Sequence, residues 1–497
     1  MLLGIDAGTT VTKSVLFDLH GVPVASASRR VPLSYPRAHH VERDQDDLWR
    51  AVAETVDEVL AATGRPQIAA VGVTSHGDGL YLVDSDGRQT RPGIMSLDTR
   101  ASGIVRQWET GGVSDRALVL TGQRPWPSAP AALLRWLVDN EPDVVTASAW
   151  ALPAKDMLRQ RLTGEFSTEL TEASLSFTDV RTQQYSDEVV ELFGLSEQRR
   201  LLPPVLSSGA VSGHVTEDAA DLTGLPEGVP IAATAHDVDC SAIGTGVISP
   251  GLASVVAGSF SINQAISYTP VLGDDWCARS FIELGSWMNM SLSPTSAATM
   301  EWFAQTLCAD DIERGRLVGD PFGFIDREVA EVAGDPSVIR FLPFLFGSPF
   351  VGELSGTFTG LGGWHTRGHL LRAIMEGVAF THRYHVDALA SAHAFDAVRL
   401  TGGASRSRIW SQVFADVLGR RIEVTTAEES GALGAALLAG VAAGVYPSLV
   451  EAVESAVQVE RVHEPDPSSR EHMDRAYADF MGIIKALQTI ERKDRDD

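Results

Sequence analysis

Two stretches of the chain share one order of apolar and polar positions. An apolar run at Leu2–Ile5 enters a short segment of glycine and threonine, and a second apolar run follows at Ser14–Phe17. The same order returns at Ala253–Val256 and Ile262–Ile266, again with glycine and hydroxyl residues between the runs. Short apolar runs separated by turn residues predict β-hairpins. We therefore predict that one structural unit occurs twice and that a second domain begins near residue 248.

Helical spacing of apolar residues indicates the longer helices. It predicts a surface helix at Trp49–Ala62 and a helix with a buried stripe at His369–Leu389. The run Gly431–Val445 consists of small and apolar residues, but it is shorter than the ~18 residues that a membrane span needs. We expect this run to form a helix that packs closely against another element.

Another apolar strand, predicted at Ile231–Ala235, ends in His236 and Asp237. An ionised carboxylate at the end of an apolar strand is unfavourable unless it is paired, hydrated or used in chemistry. A structural alternative is that Asp237 caps a helix over Val238–Ile243. Asp239 is the competing acid, and it would lie on the same face as Asp237 if the strand continued.

The strand predicted at Ile68–Thr74 ends in the same manner, with His76 and Asp78 in the turn that follows. Gly77 and Gly79 flank Asp78 and remove side chains on either side of it. We expect this turn to leave Asp78 free to accept hydrogen bonds from the hydroxyl groups of a polar ligand. An ordinary turn aspartate is the alternative.

The glycine and hydroxyl residues of the first hairpin turn suit a phosphate, because backbone N–H groups in such a turn can face an anion. Thr9, Thr10 and Lys13 would lie beside the phosphate. Asp6 would hold a hydrated magnesium ion. An ordinary hairpin is again the alternative.

Composition and charge limit the partners of the chain. It has 497 residues with a formal net charge of −25, and no basic patch is long enough to attract nucleic acid or anionic lipid. Its three cysteines are not in metal-binding spacing, and the first residues lack the features of a secretory signal. We expect a cytoplasmic protein with no nucleic-acid partner and no membrane partner.

Together, these motifs resemble the FGGY carbohydrate kinases over nearly the whole chain. The segment GTFTGLGGWHTRGHLLRAIME, Gly356–Glu376, is similar to the carboxy-terminal signature of that family. The amino-terminal signature has its usual lysine replaced by Leu133, and the residues that match it are Ser128, Pro130, Leu134, Trp136 and Asn140. The resemblance implies an α/β fold with two actin-like, ribonuclease H-like domains that flank a deep catalytic cleft. Residues 1–247 would bind the sugar and carry the catalytic base, and residues 248–490 would bind the nucleotide.

The resemblance also implies roles for individual residues, with ATP and Mg²⁺ as cofactors. The catalytic base would be Asp237, and the metal would be held near Asp6. The substrate-binding residues would be His76, Asp78, Trp126, His236 and Asp237. The ATP- and phosphate-binding residues would be Gly8, Thr9, Thr10, Lys13, Gly258, Ser259, Gly402, Gly403, Ala404 and Ser407. The partner would be a small-molecule sugar or polyol, and we leave a homodimer open.

The turn Gly77-Asp78-Gly79 narrows the expected substrate. It differs from the Arg-Glu pair of glycerol kinases and from the Met-His-Gly of xylulokinases, and it resembles the turn of erythritol kinases. The segment KDMLRQRLTGEFS is similar to both erythritol and L-xylulose kinases, and SPTSAATMEWF is similar to the latter. We expect phosphorylation of a terminal hydroxyl of a four- or five-carbon polyol or ketose. A xylulokinase is the alternative, and a non-catalytic actin-fold sugar sensor is a distant one.

Overall fold

The computed structural model describes residues 1–335, 338–350, 352 and 354–496, with side chains described as far as residue 490. These residues divide into two compact units, each made of several chain segments. The first unit contains residues 1–248, 266–289 and 427–458, and the second contains residues 249–265, 290–426 and the described residues from 459 onward. The first change of unit lies close to the boundary predicted after residue 247, whereas residues 427–458 return to the first unit. The assignment of sugar binding and nucleotide binding to the two predicted domains stays a prediction.

Short strands supply the sheets of both units. In chain order they are β1 Leu2–Ala7, β2 Val11–Phe17, β3 Pro23–Arg30, β4 Glu42–Arg43, β5 Ala70–Ser75, β6 Tyr81–Val83, β7 Gly93–Ile94, β8 Trp150–Leu152, β9 Thr168–Glu169, β10 Val205–Leu206, β11 Val211–His214, β12 Pro230–Ala232, β13 Gly251–Ala257, β14 Ser261–Ser267, β15 Cys277–Ser280, β16 Trp287–Ser293, β17 Arg340–Leu342, β18 Thr357–Thr359, β19 Phe395–Gly402, β20 Arg421–Thr425 and β21 Val459–His463.

Helices connect these strands. In chain order they are α1 Gln45–Ala62, α2 Ser102–Thr110, α3 Val113–Thr121, α4 Pro130–Asn140, α5 Pro142–Ala147, α6 Ala154–Thr163, α7 Leu170–Ala173, α8 Asp187–Leu192, α9 Glu217–Thr223, α10 Asp237–Gly244, α11 Ala298–Leu307, α12 Ala309–Arg316, α13 Gly323–Glu331, α14 Arg367–Ala390, α15 Arg408–Leu418, α16 Ser430–Ala442, α17 Leu449–Ala456 and α18 Arg470–Asp496. The helices predicted at Trp49–Ala62 and His369–Leu389 are confirmed as α1 and α14, with ends that differ by a few residues.

The main sheet of the first unit has the strand order β11-β12-β5-β1-β2-β3. β1 pairs antiparallel with β2, so that Ala7 lies opposite Thr12, and the first predicted hairpin is confirmed. β1 also runs parallel to β5, and β5 runs parallel to β12. Since the carboxyl ends of parallel strands meet at one edge of a sheet, the residues that follow β1, β5 and β12 are brought together there.

The strand predicted at Ile231–Ala235 is wrong at its carboxyl end, because β12 stops three residues earlier. The Thr74 hydroxyl donates to the backbone oxygen of Ala235 at 2.9 Å, so side-chain bonding replaces the backbone ladder beyond the strand. The chain then turns into α10, for which His236 is the N-cap. A helix does begin here, as the structural alternative required, but Asp237 is its first residue rather than its cap.

The second unit repeats this arrangement. β13 pairs antiparallel with β14 and parallel with β19, β19 runs parallel to β20, and β20 pairs antiparallel with β21. The corresponding neighbours in the first unit are β1 with β2 and β5, then β5 with β12, then β12 with β11. The prediction of one structural unit used twice is therefore confirmed, and the hairpins β1–β2 and β13–β14 hold the same position in their sheets.

Helix α16 packs at backbone distance against its neighbours in the first unit, as its small residues predict. A Cβ at Gly4 of β1 would lie 2.0 Å from the carbonyl oxygen of Ala432. A Cβ at Gly434 would lie 1.9 Å from the carbonyl oxygen of Cys240 in α10. Such close approach requires glycine at both positions. Within the described part of the chain, no helix has the length and apolar character needed to cross a membrane.

Candidate active site

Three aspartates lie at or just after the carboxyl ends of the neighbouring strands β1, β5 and β12. Asp6 is the second-last residue of β1, Asp78 lies in the turn after β5, and Asp237 opens α10. Burial, followed by the negative charge of Asp6, raises the pKa of Asp237 to about 8. The charge of Asp78 adds to this rise, and Arg279 opposes it. Asp6 and Asp78 therefore both act electrostatically on Asp237, which requires that each lies close to it.

Asp237 is held at the start of its helix and still has accessible surface. Its Oδ1 accepts a hydrogen bond from the backbone N–H of Val238 at 2.7 Å and lies 3.3 Å from His236 Nδ1. The side chain is 31% exposed, so it can reach a ligand.

Asp239, the competing acid, lies in a different environment. Its side chain is 6% exposed, and Oδ1 has no hydrogen-bond partner among the described residues. The chain is helical here, and residues two apart on a helix point in different directions, so the continuing strand that would place Asp239 on the same face as Asp237 is not formed. The carboxyl group of Asp237 is therefore accessible, whereas that of Asp239 is enclosed in the interior.

The predicted phosphate turn is anchored by two residues that the sequence did not point to. Lys13 Nζ lies 2.7 Å from both carboxylate oxygens of Glu429, the residue before α16. Arg43 donates to the backbone oxygens of Gly8, at 3.2 Å, and Thr9. Both contacts join segments far apart in sequence, so local patterns could not reveal them.

Asp6 and Lys13 face each other in the register of the hairpin. Burial and, after it, the charge of Glu429 raise the pKa of Asp6 to about 6, against the lowering effect of Lys13. Lys13 is paired with Glu429 and therefore does not hold the pKa of Asp6 at its usual value. Thr10, in the same turn, is exposed.

Asp78 occupies a turn that is unusual for a residue with a side chain, since its φ is +57°. Its Oδ2 accepts a hydrogen bond from Trp126 Nε1 at 3.1 Å, which brings together two of the predicted substrate-binding residues. The Arg279 guanidinium lies 5.1 Å from the centre of the Trp126 ring. Burial raises the pKa of Asp78, against the opposing effects of Arg279 and the Trp126 hydrogen bond.

Arg279 was missed by the sequence analysis, since it belongs to no motif and lies 201 positions after Asp78. Gln123 Oε1 accepts from its Nε at 3.0 Å and fixes its position. Its positive charge acts on Asp78, Asp237 and Asp239 alike. It is therefore the cation that the carboxylates of this site share.

The packing around the Asp78 turn also favours glycine on either side of it. A Cβ at Gly77 would lie 1.4 Å from His236 Nε2, and a Cβ at Gly79, whose φ is +80°, would lie 2.3 Å from the backbone oxygen of Ile94. The prediction that these glycines leave Asp78 free to reach a ligand stays a prediction.

The two predicted histidines lie behind the carboxylates. His76 is buried, with Nε2 3.0 Å from the Tyr81 hydroxyl and Nδ1 3.3 Å from the backbone oxygen of Gly77. Burial lowers the pKa of His76 to about 3 and that of His236 well below its usual value. Both imidazoles are neutral near pH 7, and their placement suits support of the turns more than contact with a ligand.

A buried ion cluster supports the start of α10. Lys155 Nζ lies 2.9 Å from Asp156 and 3.4 Å from Glu169, and all three side chains are almost fully enclosed. The Thr171 backbone N–H donates to Glu169 at 2.8 Å, while the Thr171 hydroxyl accepts from the backbone N–H of His236 at 2.9 Å. Lys155 and Asp156, in the segment KDMLRQRLTGEFS, are thus linked through Glu169 and Thr171 to His236, the residue before α10.

The predicted nucleotide residues other than Gly8, Thr9, Thr10 and Lys13 lie in the second unit, in or next to two turns. Gly258 and Ser259 lie between β13 and β14, and the Gly258 carbonyl accepts from Ala298 N–H at 3.2 Å. Gly402 has a φ of +88°, and a Cβ there would lie 2.5 Å from the Ala257 carbonyl oxygen. These two turns follow β13 and β19, which are parallel neighbours.

Gly403, Ala404 and Ser407 continue from that second turn. The nearest atom to a Cβ at Gly403, the Ala297 Cβ, would be 3.4 Å away, which is an ordinary van der Waals contact, so packing alone does not require glycine here. Ala404 is fully buried. The Ser407 hydroxyl accepts from Trp410 N–H at 2.9 Å and donates to Asp326 at 2.7 Å. It caps α15 and already has its partners within the protein.

Comparison with known proteins is consistent across sequence and structure. Residues 1–244 match the N-terminal domain, and residues 261–443 the C-terminal domain, of the FGGY family of carbohydrate kinases. The L-xylulose/3-keto-L-gulonate kinase of Escherichia coli is 31% identical, with 98% of this chain and 97% of that protein covered. The xylulose kinase of the same organism is 28% identical, with 94% and 95% covered. The crystal structure of xylulose kinase from Rhodospirillum rubrum is 29% identical with a TM-score of 0.88, covering 99% of both chains.

Proposed function

Because the chain belongs to the FGGY family of carbohydrate kinases, we propose that it transfers the γ-phosphoryl group of ATP to a terminal hydroxyl of a four- or five-carbon polyol or ketose. The observation that carries this proposal is the convergence of Asp6, Asp78 and Asp237 at the ends of neighbouring strands. One carboxyl group of the three remains accessible on the first turn of a helix.

Asp237 is the proposed general base. It accepts the proton of the acceptor hydroxyl as the oxygen attacks phosphorus, and general bases of this kind contribute about 10²–10⁴ in rate. A pKa of about 8 makes the carboxylate a stronger base than an exposed aspartate. Arg279 opposes the rise in pKa and keeps part of the population ionised near pH 7.

Magnesium reaches the enzyme as part of its substrate MgATP. The described residues contain no group of three or more His, Cys, Asp or Glu that could hold a metal ion alone. Asp6 nevertheless suits a cation, since burial and the Glu429 charge both raise its pKa. A magnesium ion that keeps several waters and its phosphate ligands needs only one or two carboxylates, so Asp6 would contact its hydration shell.

The acceptor lies, in this proposal, between Asp237 and the pair formed by Asp78 and Trp126. The Asp78 carboxylate accepts hydrogen bonds from neighbouring hydroxyls, and charge-assisted bonds of this kind are the stronger ones. The Trp126 ring supplies an apolar face, and Arg279 stacks over it. His76 and His236 act as positioning residues behind these groups.

The nucleotide residues are proposed on turns of both units. The turn Gly8–Thr10 of the first unit and the turn Gly258–Ser259 of the second would each bind phosphate oxygens through backbone N–H groups, and the space beside Gly403 would receive the adenosine. Ala404 would form the floor of that space, while Ser407 would act through its cap of α15. The cytoplasmic location and a homodimer stay predictions.

Two relatives favour particular acceptors. The full-length similarity to an L-xylulose/3-keto-L-gulonate kinase supports a ketose such as L-xylulose, and the similarity to a xylulose kinase makes xylulose without a stated configuration the second candidate. A coupled assay with MgATP across tetritols, pentitols, ketopentoses and glycerol tests the proposal. We expect glycerol to be at least roughly tenfold poorer in kcat/KM than the best acceptor, because it leaves buried polar groups unpaired. If glycerol is the best acceptor, the proposed substrate class is wrong.

A further inference from the structure

A small cavity lies beside the Asp78 turn, entirely within the first unit. Its volume is about 30 Å³, and most of its wall is apolar, including Leu80, Leu152, Leu175 and Leu202. The polar residues along it include Asp78, Thr168, Glu172 and Tyr185. A cavity with several polar groups takes up a polar occupant, whereas a purely apolar one of this kind stays empty.

Glu172 is the residue of this cavity that most needs a partner. It lies on α7, it is 4% exposed, and neither of its carboxylate oxygens has a hydrogen-bond partner among the described residues. A buried carboxyl group without partners is unfavourable. Burial raises the pKa of Glu172 well above its usual range, which favours the protonated form, and that form offers one O–H donor.

Asp78 has the complementary deficiency. Trp126 occupies its Oδ2, whereas Oδ1 is buried and without a partner among the described residues. Thr168, in contrast, already donates to Asp156 at 2.5 Å. One hydroxyl group in the cavity could accept from Glu172 and donate to Asp78 Oδ1, since a hydroxyl is both donor and acceptor.

The position and size of the cavity indicate which hydroxyl this is. The charge of Asp237 acts on Glu172, and the charge of Asp78 acts on Asp237, so the cavity is near the proposed base. Its volume suits one or two waters or a single hydroxymethyl group.

We propose that this cavity binds the hydroxymethyl group at the end of the acceptor opposite the phosphorylated hydroxyl, with Glu172 as donor and Asp78 Oδ1 as acceptor. The inference rests on the proposed function and deepens it. It makes Glu172 a specificity-determining residue and requires an acceptor with a neutral hydroxyl group at each end. A carboxylate at the far end would face two acidic side chains and is excluded.

The test compares acceptors with and without that hydroxyl. The probes are erythritol with 1-deoxyerythritol and L-xylulose with 1-deoxy-L-xylulose, each at saturating MgATP with the full chain. We expect the wild type to prefer the complete acceptor by about tenfold or more in kcat/KM. Glu172→Leu should lower kcat/KM for the complete acceptor by about tenfold and leave the deoxy analogue within about threefold, so that the preference disappears.

Two variants control for the nature of the effect. Glu172→Gln keeps a donor and an acceptor without a charge and should retain most of the preference. Leu202→Val enlarges the cavity without removing a polar atom and should also retain the preference for the complete acceptor. If Glu172→Leu keeps the wild-type preference, the cavity holds water only and the inference is overturned. If Glu172→Gln behaves like Glu172→Leu, the carboxyl group is not a neutral donor and the inference is likewise overturned.

Failure of the proposed function has a separate signature. If no tetritol, pentitol or ketopentose is phosphorylated, the proposed substrate class is wrong irrespective of the cavity. Calorimetric titration of erythritol, L-xylulose and their two deoxy analogues, without nucleotide, then tests the cavity alone. Tighter binding of the complete compound that is lost in Glu172→Leu supports the inference, and equal or absent binding in the wild type overturns it.

Discussion

The hairpins β1–β2 and β13–β14 stand in the same place in two sheets of the same topology, but their chemistry differs. In the first, Asp6 lies opposite Lys13, and in the second the corresponding cross-strand pair is Val256 opposite Ile262. Each pair directly precedes the pair that closes its turn, Ala7 with Thr12 and Ala257 with Ser261. The scaffold therefore needs no charge at this position, and the charges of the first hairpin are there for another reason.

Among the described residues, buried acids without hydrogen-bond partners are found in the first unit and not in the second. In the second unit, the imidazole of His382 is bonded to Ser261, Asn263 and Ser296 at 3.1, 2.7 and 2.8 Å. In the first unit, oxygens of Asp78, Glu172 and Asp239 are buried without partners among the described residues. A neutral hydrogen-bond network stabilises the fold, whereas buried acids without partners reduce its stability and indicate a candidate functional site.

The largest expected effect comes from removing the accessible acid of the first unit. Asp237→Asn should fold and bind ATP but lose about 10²–10⁴ in kcat, because no group remains to accept the hydroxyl proton. Steady-state kinetics with the best acceptor measures this loss. Asp239→Asn is the matched control, since it removes an enclosed acid two residues away and should retain most of kcat. An inactive Asp239→Asn with an active Asp237→Asn would identify Asp239 as the base.

The charged pair of the first hairpin can be tested against the apolar pair of the second. Lys13→Met removes the partner of Glu429 and leaves two carboxylates near the proposed phosphate turn. We expect kcat/KM for MgATP to fall by roughly tenfold or more, because anionic phosphates then meet uncompensated negative charge. Ile262→Met is the control at the corresponding position and should change kcat/KM by less than about twofold. Equal effects of the two variants would show that the difference in charge has no function.

Substitutions at Gly402 and Gly403 should distinguish a glycine needed for backbone conformation from one needed for ligand binding. Gly403→Val places a side chain in the space assigned to adenosine and should raise KM for ATP several-fold while the affinity for the acceptor stays nearly unchanged. Gly402→Ala should instead lower the melting temperature, since φ is +88° and the Cβ would lie 2.5 Å from a carbonyl oxygen. Calorimetry of both ligands with each variant provides the measurement. Loss of acceptor binding in Gly403→Val would contradict the assignment of nucleotide and acceptor to different units.

The smallest expected effect is on stability, and it depends on pH. Folding raises the pKa of Asp237 to about 8. The contribution of this group to the free energy of unfolding is therefore fully present below pH 4 and is lost as the pH rises through 8. Asp237→Asn should therefore melt a few degrees above the wild type at pH 8.5, and the advantage should shrink towards pH 4. Asp6→Asn is the matched comparison. Because the pKa of Asp6 in the folded protein is about 6, the gain in melting temperature of Asp6→Asn over the wild type should reach its full size near pH 6 and then stay constant.

Local patterns predicted the hairpins, the helices α1 and α14 and the close packing of α16, because each depends on spacing within one short segment. The carboxylates were found for a similar reason, since a polar residue after an apolar strand is visible in sequence. The end of the strand before His236 was predicted wrongly, because the Thr74 hydroxyl takes over from the backbone ladder there. That bond joins residues 161 positions apart.

The sequence by itself determined the family, the repeated sheet and the identity of the aspartates that the sheet edge brings together. Only the tertiary structure decided which of those acids is accessible, which lysine is already paired, and which packing favours glycine on either side of Asp78. Only the tertiary structure shows that Arg279, Glu429 and Glu172 also act on these acids. Their effects on pKa and hydrogen bonding come from burial and from charges that are distant in the chain. Burial and distance of this kind are properties of the folded chain, and no local pattern of residues encodes them.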